Sequence, residues 1–166
     1  MRIQRGFTLI ELVTVLIVIG ILAVVALPRL GGENVFRERG FRDGLVSVLG
    51  YARRMAVAGR HFVCVTVDGG AGTVSLARDA NPPEAVANIA CGAPLNLPSQ
   101  QSGCGANQLC VPDGVTVNAG ALDVLFFDPL GRLVAQGAPR TVTANATLEV
   151  TGQNDVVVNA TTGYVQ

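Results

Sequence analysis

The sequence predicts an α+β fold in which a long N-terminal α-helix, one half apolar and one half amphipathic, packs on an antiparallel β-sheet. Three observations predict it. Residues 12–27 form an apolar run that only Thr14 and Gly20 interrupt. Residues 34–58 carry apolar side chains at the spacing of one helix face. From His61 onward, short strand-like segments alternate with turn residues, a pattern typical of antiparallel sheets. A helix face packed on such a sheet gives an α+β domain.

The apolar run is long enough to cross a membrane. Residues 7–27 would measure about 31 Å as a helix, and a bilayer core is about 30 Å thick. The segment is either a secretory signal that is cut after Ala26 or a retained membrane span. Glu11 favours retention, because a carboxylate among lipid tails is costly and usually marks a function. Alternatively, Glu11 lies close enough to the interface for its side chain to reach water.

Gly20 and Pro28 are the predicted positions of a helix kink. Proline removes a backbone donor and clashes with the preceding turn, so we expect a kink near Pro28. Gly20 is either a notch for helix packing or an ordinary small residue of an apolar helix.

A second helical pattern covers residues 34–58, and Gly59 is its expected C-terminal stop. One apolar face is formed by Phe41, Leu45, Val48, Leu49, Ala52, Met55 and Ala56. Five arginines lie mainly off that face and form either a solvated flank or a contact strip for acidic neighbours: Arg37, Arg39, Arg42, Arg53 and Arg54.

The remainder of the chain predicts strands. Residues 61–67 and 72–77 form an expected hairpin around a turn at residues 68–70. Further strands are predicted at residues 115–118, 122–127, 133–135, 142–150 and 155–159. His61 opens the first strand and is interpreted as structural, because the chain has no second histidine.

Residues 79–114 form a long loop rich in proline and glycine that holds Cys91, Cys104 and Cys110. A loop of this length needs a covalent staple or a function. With no Cys-x-x-Cys pair and a single histidine, a metal site is disfavoured, and disulfides in an oxidising compartment are predicted. The spacing favours Cys104 with Cys110 and Cys64 with Cys91, although four cysteines allow three pairings.

The composition and the motifs disfavour two classes of function. Twelve arginines balance twelve acidic residues and lysine is absent, so the net charge is zero. This argues against nucleic-acid binding driven by electrostatics. The sequence contains no Ser/His/Asp set, no histidine-rich metal spacing and no phosphate loop, so neither an enzyme nor a cofactor is expected.

The stretch Arg5-Gly6-Phe7-Thr8-Leu9-Ile10-Glu11, followed by the apolar helix, resembles the class III signal of type IV pilins and type II secretion pseudopilins. The resemblance implies a type IV pilin fold and cleavage by a prepilin peptidase between Gly6 and Phe7. The same enzyme would then methylate the new Phe7 amine. The resemblance also implies that Glu11 pairs with the N-terminal amine of a neighbouring subunit in a filament, which would fix the register of the two helices.

A second resemblance covers more of the chain. The segments Phe36-Arg-Glu-Arg-Gly-Phe41, Tyr51-Ala-Arg-Arg-Met-Ala-Val57, Phe127-Asp-Pro-Leu-Gly-Arg132 and Thr162-Gly-Tyr-Val165 are similar to GspH/FimT-type minor pilins. Within that group they are most similar to minor pilins of mannose-sensitive haemagglutinin pili. FimT members that bind DNA use a C-terminal Gly-Arg-x-Arg stretch. Residues 163–166 here read Gly-Tyr-Val-Gln, so binding of nucleic acid is not expected.

These resemblances imply four parts: a leader peptide of residues 1–6, a transmembrane and assembly helix of residues 7–28, an amphipathic helix of residues 29–60, and a globular β domain of residues 61–166. They imply a minor pilin that primes filament assembly or lies at the filament tip. The alternatives are a minor pseudopilin of type II secretion and a tip pilin that binds DNA or another ligand.

The expected partners and location follow from the same resemblances. The partners are other major and minor pilins contacted through the N-terminal helix, the prepilin peptidase, and the inner-membrane assembly platform. Before assembly the chain is expected to cross the inner membrane of a Gram-negative bacterium once, with its C-terminal domain in the periplasm. After assembly it is expected in a pilus or pseudopilus at the cell surface.

Overall fold

The computed structural model describes residues 8–26, 32–83, 88–120, 122–137 and 140–166. The chain divides into two compact units, Met1–Asn34 and Val35–Gln166. Helix α1, Leu9–Ala26, lies in the first unit. Helix α2, Glu33–Gly59, belongs to the second unit from Val35 onward, as do all the strands of the described residues.

Helix α1 is apolar around its whole circumference. Its 18 residues read LIELVTVLIVIGILAVVA, with Glu11 in the first turn as the one ionisable side chain. Among the described residues, no helix combines the length and the hydropathy that a bilayer-spanning segment requires.

Helix α2 is amphipathic, as its sequence predicts. Leu45, Leu49, Ala52 and Ala56 have no exposed surface, and they recur at intervals of three to four residues along one side of the helix. The predicted helix of residues 34–58 agrees with the observed Glu33–Gly59 to within one residue at each end. The helix ends at Gly59, but the residue that takes the left-handed conformation after it is Arg60, with φ 51°.

The strands form two antiparallel sheets. Their bounds are β1 Val63–Asp68, β2 Thr73–Arg78, β3 Ala93–Pro94, β4 Gln108–Cys110, β5 Val117–Asn118, β6 Val124–Phe127, β7 Leu133–Val134, β8 Ala146–Val150 and β9 Val156–Val158. The larger sheet has the order β3-β2-β1-β6-β7, with β4 also paired to β2, and the smaller sheet has the order β5-β8-β9. The predicted hairpin is β1 with β2, in which Val65 lies opposite Leu76.

One hydrophobic core joins α2 to both sheets. Val63, Val65 and Val67 of β1 belong to it, because alternate residues of a strand face the same side. The smaller sheet contributes buried residues such as Leu148 and Val156. All buried residues of this core lie between Phe41 and Ala160, so the second unit builds its core without α1.

Two short strands within the loop of residues 79–114 were not predicted from the sequence. β3 and β4 pair with opposite ends of β2 and together cover its outer edge. Strands of two or three residues show no alternation of apolar and polar side chains. Their extended conformation depends on the partner strand, which a local pattern does not reveal.

The predicted strand of residues 142–150 is wrong in extent. Val142 makes an isolated bridge to Val134 in the larger sheet. β8 begins only at Ala146 and pairs with β5 and β9 in the smaller sheet. The chain therefore passes from one sheet to the other inside a segment whose apolar pattern is continuous.

Candidate functional site

The exposed surface of α1 is the most prominent functional feature of the first unit. Every described side chain from residue 8 to residue 23 is exposed, including Leu9, Leu16 and Ile21. A helix that is apolar on all sides is normally buried in a membrane or inside a large assembly. The surface of α1 therefore requires a nonpolar environment or partner helices.

Helix α1 begins at a cap formed by Thr8. The Glu11 amide lies 3.3 Å from Thr8 Oγ1 and 3.1 Å from the Thr8 carbonyl oxygen, which also accepts the Leu12 amide at 3.2 Å. Thr8 and Glu11 thus lie at the N-cap and N3 positions, which is the Thr-x-x-Glu spacing of a capping box. The Thr-x-x-Glu spacing is visible in the sequence, although it was not used above to predict the start of the helix. A carboxylate in the first turn also interacts favourably with the helix dipole, so Glu11 has a local structural role in addition to any contact with a neighbour.

The other predicted positions of the N-terminal segment divide into two groups. Gly6 and Phe7, the predicted cleavage and methylation sites, and Pro28, a predicted kink, lie outside the described residues. Gly20 lies within α1, and a Cβ atom built on it meets no other atom within 4 Å. Among the described residues, Gly20 therefore leaves open space on the helix surface.

The long loop is held to the larger sheet by two disulfides. Cys64 of β1 is joined to Cys91, and Cys104 to Cys110 of β4, with Cα atoms 6.1 Å apart in each pair. These are the pairings that the spacing favours. Cys64 is buried in a small apolar cluster with Phe62, Ile89 and Val134. The first bridge therefore ties one end of the loop to an apolar cluster beside β1.

Asp79 provides a second attachment for the same loop. Its side chain is fully buried and accepts hydrogen bonds from the Asn81 amide at 2.9 Å, the Asn81 side chain at 3.2 Å and the Ala90 amide at 2.8 Å. Burial raises the pKa of the Asp79 carboxyl, but these donors outweigh it, so the pKa lies below its ordinary value of 3.8. His61 lies beside this loop, and its Nδ1 is 3.1 Å from the Asn81 carbonyl oxygen.

Three of the segments that carry the second resemblance meet at one junction. Gly131 has φ 78° and Gly163 has φ 64°. A Cβ atom built on Gly163 would collide with the Gly131 carbonyl oxygen and would lie 2.9 Å from Arg53 Cδ. Arg53 belongs to α2, Gly131 to the turn between β6 and β7, and Gly163 to the C-terminal turn. Residues from three segments that are far apart in sequence therefore pack against one another at a single site in the fold.

The turn at this junction is organised by the buried side chain of Asp128. Asp128 Oδ1 accepts the amides of Leu130 at 2.9 Å and Arg132 at 2.8 Å. Asp128 Oδ2 accepts the Arg132 guanidinium, with Nε at 2.8 Å and Nη2 at 2.7 Å. The local sequence does not indicate that the Asp128 carboxylate fixes the Arg132 side chain as well as the backbone of the turn.

No group of three or more histidine, cysteine, aspartate or glutamate side chains placed to hold a metal ion occurs among the described residues.

Comparisons with known proteins agree with the N-terminal motif and the fold. Residues 1–27 match the prokaryotic N-terminal methylation motif. The structure is similar to the type IV minor pilin FimU of Pseudomonas aeruginosa, with a TM-score of 0.53, 18% identity, and coverage of 77% of this chain and 85% of that one.

It is also similar to the minor pseudopilin EpsH from the type 2 secretion system of Vibrio cholerae. That comparison has a TM-score of 0.50 and 12% identity, and it covers 78% of this chain and 94% of EpsH. The first of these structures is a minor pilin and the second a minor pseudopilin. No significant match is found among curated proteins. The chain therefore carries the prokaryotic N-terminal methylation motif over residues 1–27, and its α+β fold is similar to that of these two structures.

Proposed function

We propose that the chain is a minor pilin of a type IV pilus, with a structural role in priming or capping the filament and no catalytic role. The observation that carries the proposal is the exposed apolar surface of α1, together with a core of the second unit to which α1 contributes no residue. Such a helix has no use in a soluble monomer. In a filament, the α1 helices of neighbouring subunits bury one another.

The N-terminal segment is processed before assembly in this proposal. The prepilin peptidase cuts between Gly6 and Phe7 and methylates the Phe7 amine, as the match to the methylation motif supports. Residues 7–28 then anchor the chain in the inner membrane until the assembly platform extracts it. The second unit lies in the periplasm, where disulfides such as Cys64–Cys91 form and persist.

Glu11 fixes the register of neighbouring helices. The carboxylate and a neighbour's N-terminal amine are each costly in an apolar bundle, and pairing neutralises both charges. Glu11 lies in the first turn of α1, and this position near the start of the helix supports a pairing with the amine of an adjacent, axially shifted subunit. The alternative role, helix capping with Thr8, is satisfied equally well by glutamine, because glutamine also serves at the N3 position of a capping box.

Because glutamine can replace glutamate in capping but not in charge pairing, a glutamine variant distinguishes the two roles of Glu11. Strains that produce Glu11→Gln, Glu11→Ala or the wild-type chain should be compared for pilus number by electron microscopy. The control is Glu149→Gln, which removes an exposed carboxylate of β8. We expect both Glu11 variants to form a folded second unit and few pili, while the control assembles normally. Wild-type pilus numbers in Glu11→Gln would show that capping, and not charge, is the function of Glu11.

A minor pseudopilin of type II secretion is the second candidate, and the similarity to EpsH favours it. The same physical argument about α1 applies to a shorter filament. The two candidates differ in the system that loses function when the gene is deleted. Loss of pili with normal secretion of folded proteins supports the pilus, and the reverse supports the pseudopilus.

A tip pilin that binds DNA or another ligand is less well supported. The C-terminal residues 163–166 lack the arginines of the DNA-binding pattern, and Gln166 is paired with Val157 through two backbone hydrogen bonds. Titration of the purified chain with double-stranded DNA at low salt tests this candidate directly, since any binding through phosphates is strongest there.

A further inference from the structure

The two disulfides differ in how far their sulfurs are accessible to another thiol. Cys104 and Cys110 are both partly exposed, and residues 99–103, which precede the first of them, are exposed. In the other bridge Cys91 is partly exposed, but Cys64 is only 3% exposed and lies in the small apolar cluster described above. One bridge therefore lies at the surface, and the other has one end in the interior.

This difference determines which bridge can be reduced while the chain stays folded. In thiol–disulfide exchange a thiolate attacks one sulfur and the other sulfur leaves as a thiolate. For the Cys64–Cys91 bridge, either the attack or the departure takes place at Cys64, where a charged sulfur would be surrounded by apolar side chains. Either sulfur of the Cys104–Cys110 bridge can be attacked or released at the surface. The second bridge is therefore the one that a thiol can reduce without unfolding.

The segment that this bridge closes, residues 104–110, attaches to two other parts of the fold. Its last three residues form β4, which pairs with β2. Within the closed loop, the Asn107 carbonyl oxygen accepts the Leu76 amide at 2.9 Å, and the Ala106 carbonyl oxygen accepts the Leu97 amide at 2.8 Å. Movement of this segment would therefore release both the outer edge of β2 and the preceding part of the long loop.

The conformation of the segment depends strongly on the bridge. Gly103 and Gly105 flank Cys104, and Gly103 has φ 85°. Because glycine loses more conformational freedom on ordering than other residues, such a segment is costly to hold in one conformation. The apolar anchor of β4 is Leu109, which is only partly buried and lies 3.6 Å from a Cβ atom built on Gly44 of α2. The disulfide is thus a principal restraint on β4.

We propose that the Cys104–Cys110 disulfide is a redox latch on the outer edge of the larger sheet. In the oxidised state the latch holds β4 on residues 73–75 of β2. In the reduced state β4 leaves, and this stretch of β2 loses its partner strand. An edge without a partner presents backbone groups that can pair with another extended chain. The redox state of the bridge therefore controls whether this edge is covered.

The reductant that operates the latch is a protein dithiol. One of its sulfurs, as a thiolate, attacks Cys104 or Cys110, so that the disulfide bond breaks and a mixed disulfide forms. The cysteine that leaves takes up a proton. The second thiol of the reductant then displaces the remaining protein sulfur, which is also protonated. Two electrons pass from the dithiol to the bridge, and the dithiol becomes a disulfide.

The test is reduction of the full chain in detergent micelles by dithiothreitol, poised at a series of ratios to its oxidised form. Free thiols are blocked with N-ethylmaleimide after increasing times, and the labelled cysteines are identified by peptide mass mapping. We expect Cys104 and Cys110 to be labelled at least about tenfold faster than Cys64 and Cys91, because exchange depends on access to the sulfurs.

Hydrogen exchange of the same samples measures whether reduction releases β4. The amides of Leu76 and Leu97, whose acceptors lie in the closed loop, should exchange faster in the reduced chain. So should the amide of Val111, which directly follows β4. Reoxidation should restore the protection of all three. The Val67 amide, which donates to the Asp123 carbonyl oxygen on the other side of β1, should be unchanged.

Two double variants separate the bridges. The chain with Cys104→Ala and Cys110→Ala should show fast exchange of the same amides without reductant and no response to dithiothreitol. The matched control, with Cys64→Ala and Cys91→Ala, retains the latch and should still respond. If either double variant fails to fold, the oxidised and reduced forms of the wild-type chain provide the same comparison.

The proposal is overturned if dithiothreitol leaves the Cys104–Cys110 bridge intact or reduces the two bridges at the same rate. It is equally overturned if the amides of Leu76 and Leu97 keep their protection after reduction. A loss of protection that extends to Val67 also contradicts it, because the bridge would then support the whole unit and not one edge. Since α1 takes no part in these measurements, their failure would leave the filament role standing.

Discussion

Gly163 has a φ of 64° and faces the Gly131 carbonyl oxygen and the aliphatic part of Arg53. Gly163→Ala adds two costs. The left-handed backbone costs about 1–2 kcal/mol with a side chain, and the collision with Gly131 adds about 1–3 kcal/mol. We expect the variant to unfold at a markedly lower denaturant concentration than the wild-type chain.

Gly120 provides a matched control for that measurement. Its φ is 65°, but a Cβ atom built on it meets no atom within 4 Å. Gly120→Ala should therefore show only the backbone cost. Equal losses of unfolding free energy in Gly163→Ala and Gly120→Ala would show that the junction with Arg53 and Gly131 is not tightly packed.

The ionisation of Asp79 makes the free energy of unfolding depend on pH in the acidic range. Because its folded pKa is lower than 3.8, its ionised form stabilises the fold fully at pH values well above 3.8. This contribution is lost as the pH falls through the folded pKa. Asp79→Asn should cost about 1–3 kcal/mol near neutral pH, because one acceptor oxygen becomes a donor, and should flatten the fall in stability on acidification.

Urea unfolding of wild-type and Asp79→Asn chains over a series of acidic pH values measures both effects. Asp113→Asn, which removes an exposed carboxylate, is the control and should cost little stability. An Asp79→Asn variant that is as stable as the wild type at neutral pH would contradict the hydrogen-bonding role of the carboxylate.

Single residues were the hardest features to predict from the sequence. The positive φ of Arg60 could not be inferred, because arginine is rare in that conformation and Gly59 was the obvious helix stop. The capping box at Thr8 and Glu11 could have been predicted from its Thr-x-x-Glu spacing. The contact between Gly131 and Gly163 needs the tertiary fold, since more than thirty residues separate them in the chain.

At the scale of an element, helix α2 and the longer strands could be predicted from their patterns of apolar residues, whereas the shortest strands could not. The buried face of α2 could be read directly, because a 3.6-residue repeat persists over 27 residues. The strands β1, β2 and β6 were located within about two residues, because each carries apolar residues between turn signals. β3, β4 and the division of residues 142–150 between two sheets depend on pairing partners that are distant in sequence.

The two disulfides should contribute unequally to stability. Cys64 and Cys91 are 27 positions apart, and Cys104 and Cys110 are 6 apart. In the chain-entropy treatment these loops correspond to about 3.5 and about 2.2 kcal/mol. Replacing both cysteines of a pair by alanine should therefore destabilise the chain more for the first pair than for the second.

Guanidinium unfolding of the two double variants measures this difference. The variant without Cys104 and Cys110 should keep the hairpin of β1 and β2 while β4 exchanges its amide protons faster. A larger loss for this pair than for Cys64 and Cys91 would show that strain or denatured-state structure, and not loop closure, determines the contribution of each bridge.

At the scale of the whole molecule, the two units differ in how their apolar side chains are covered. The second unit, Val35–Gln166, buries its own hydrophobic core. The first unit presents an apolar helix whose exposed surface has to be covered by lipid or by other helices. The α+β class and the N-terminal motif could be predicted from the sequence, whereas the contact among Arg53, Gly131 and Gly163 appears only when the turns between distant elements are brought together.

The central claim is that α1 is retained in the mature chain and serves assembly. The most direct test is the intact mass of the protein isolated from membranes and from filaments, measured before and after reduction. The account predicts a chain that begins at Phe7, carries one added methyl group and gains four hydrogen masses on reduction of its two disulfides. A mature chain that begins at Leu27, without α1, would contradict the account.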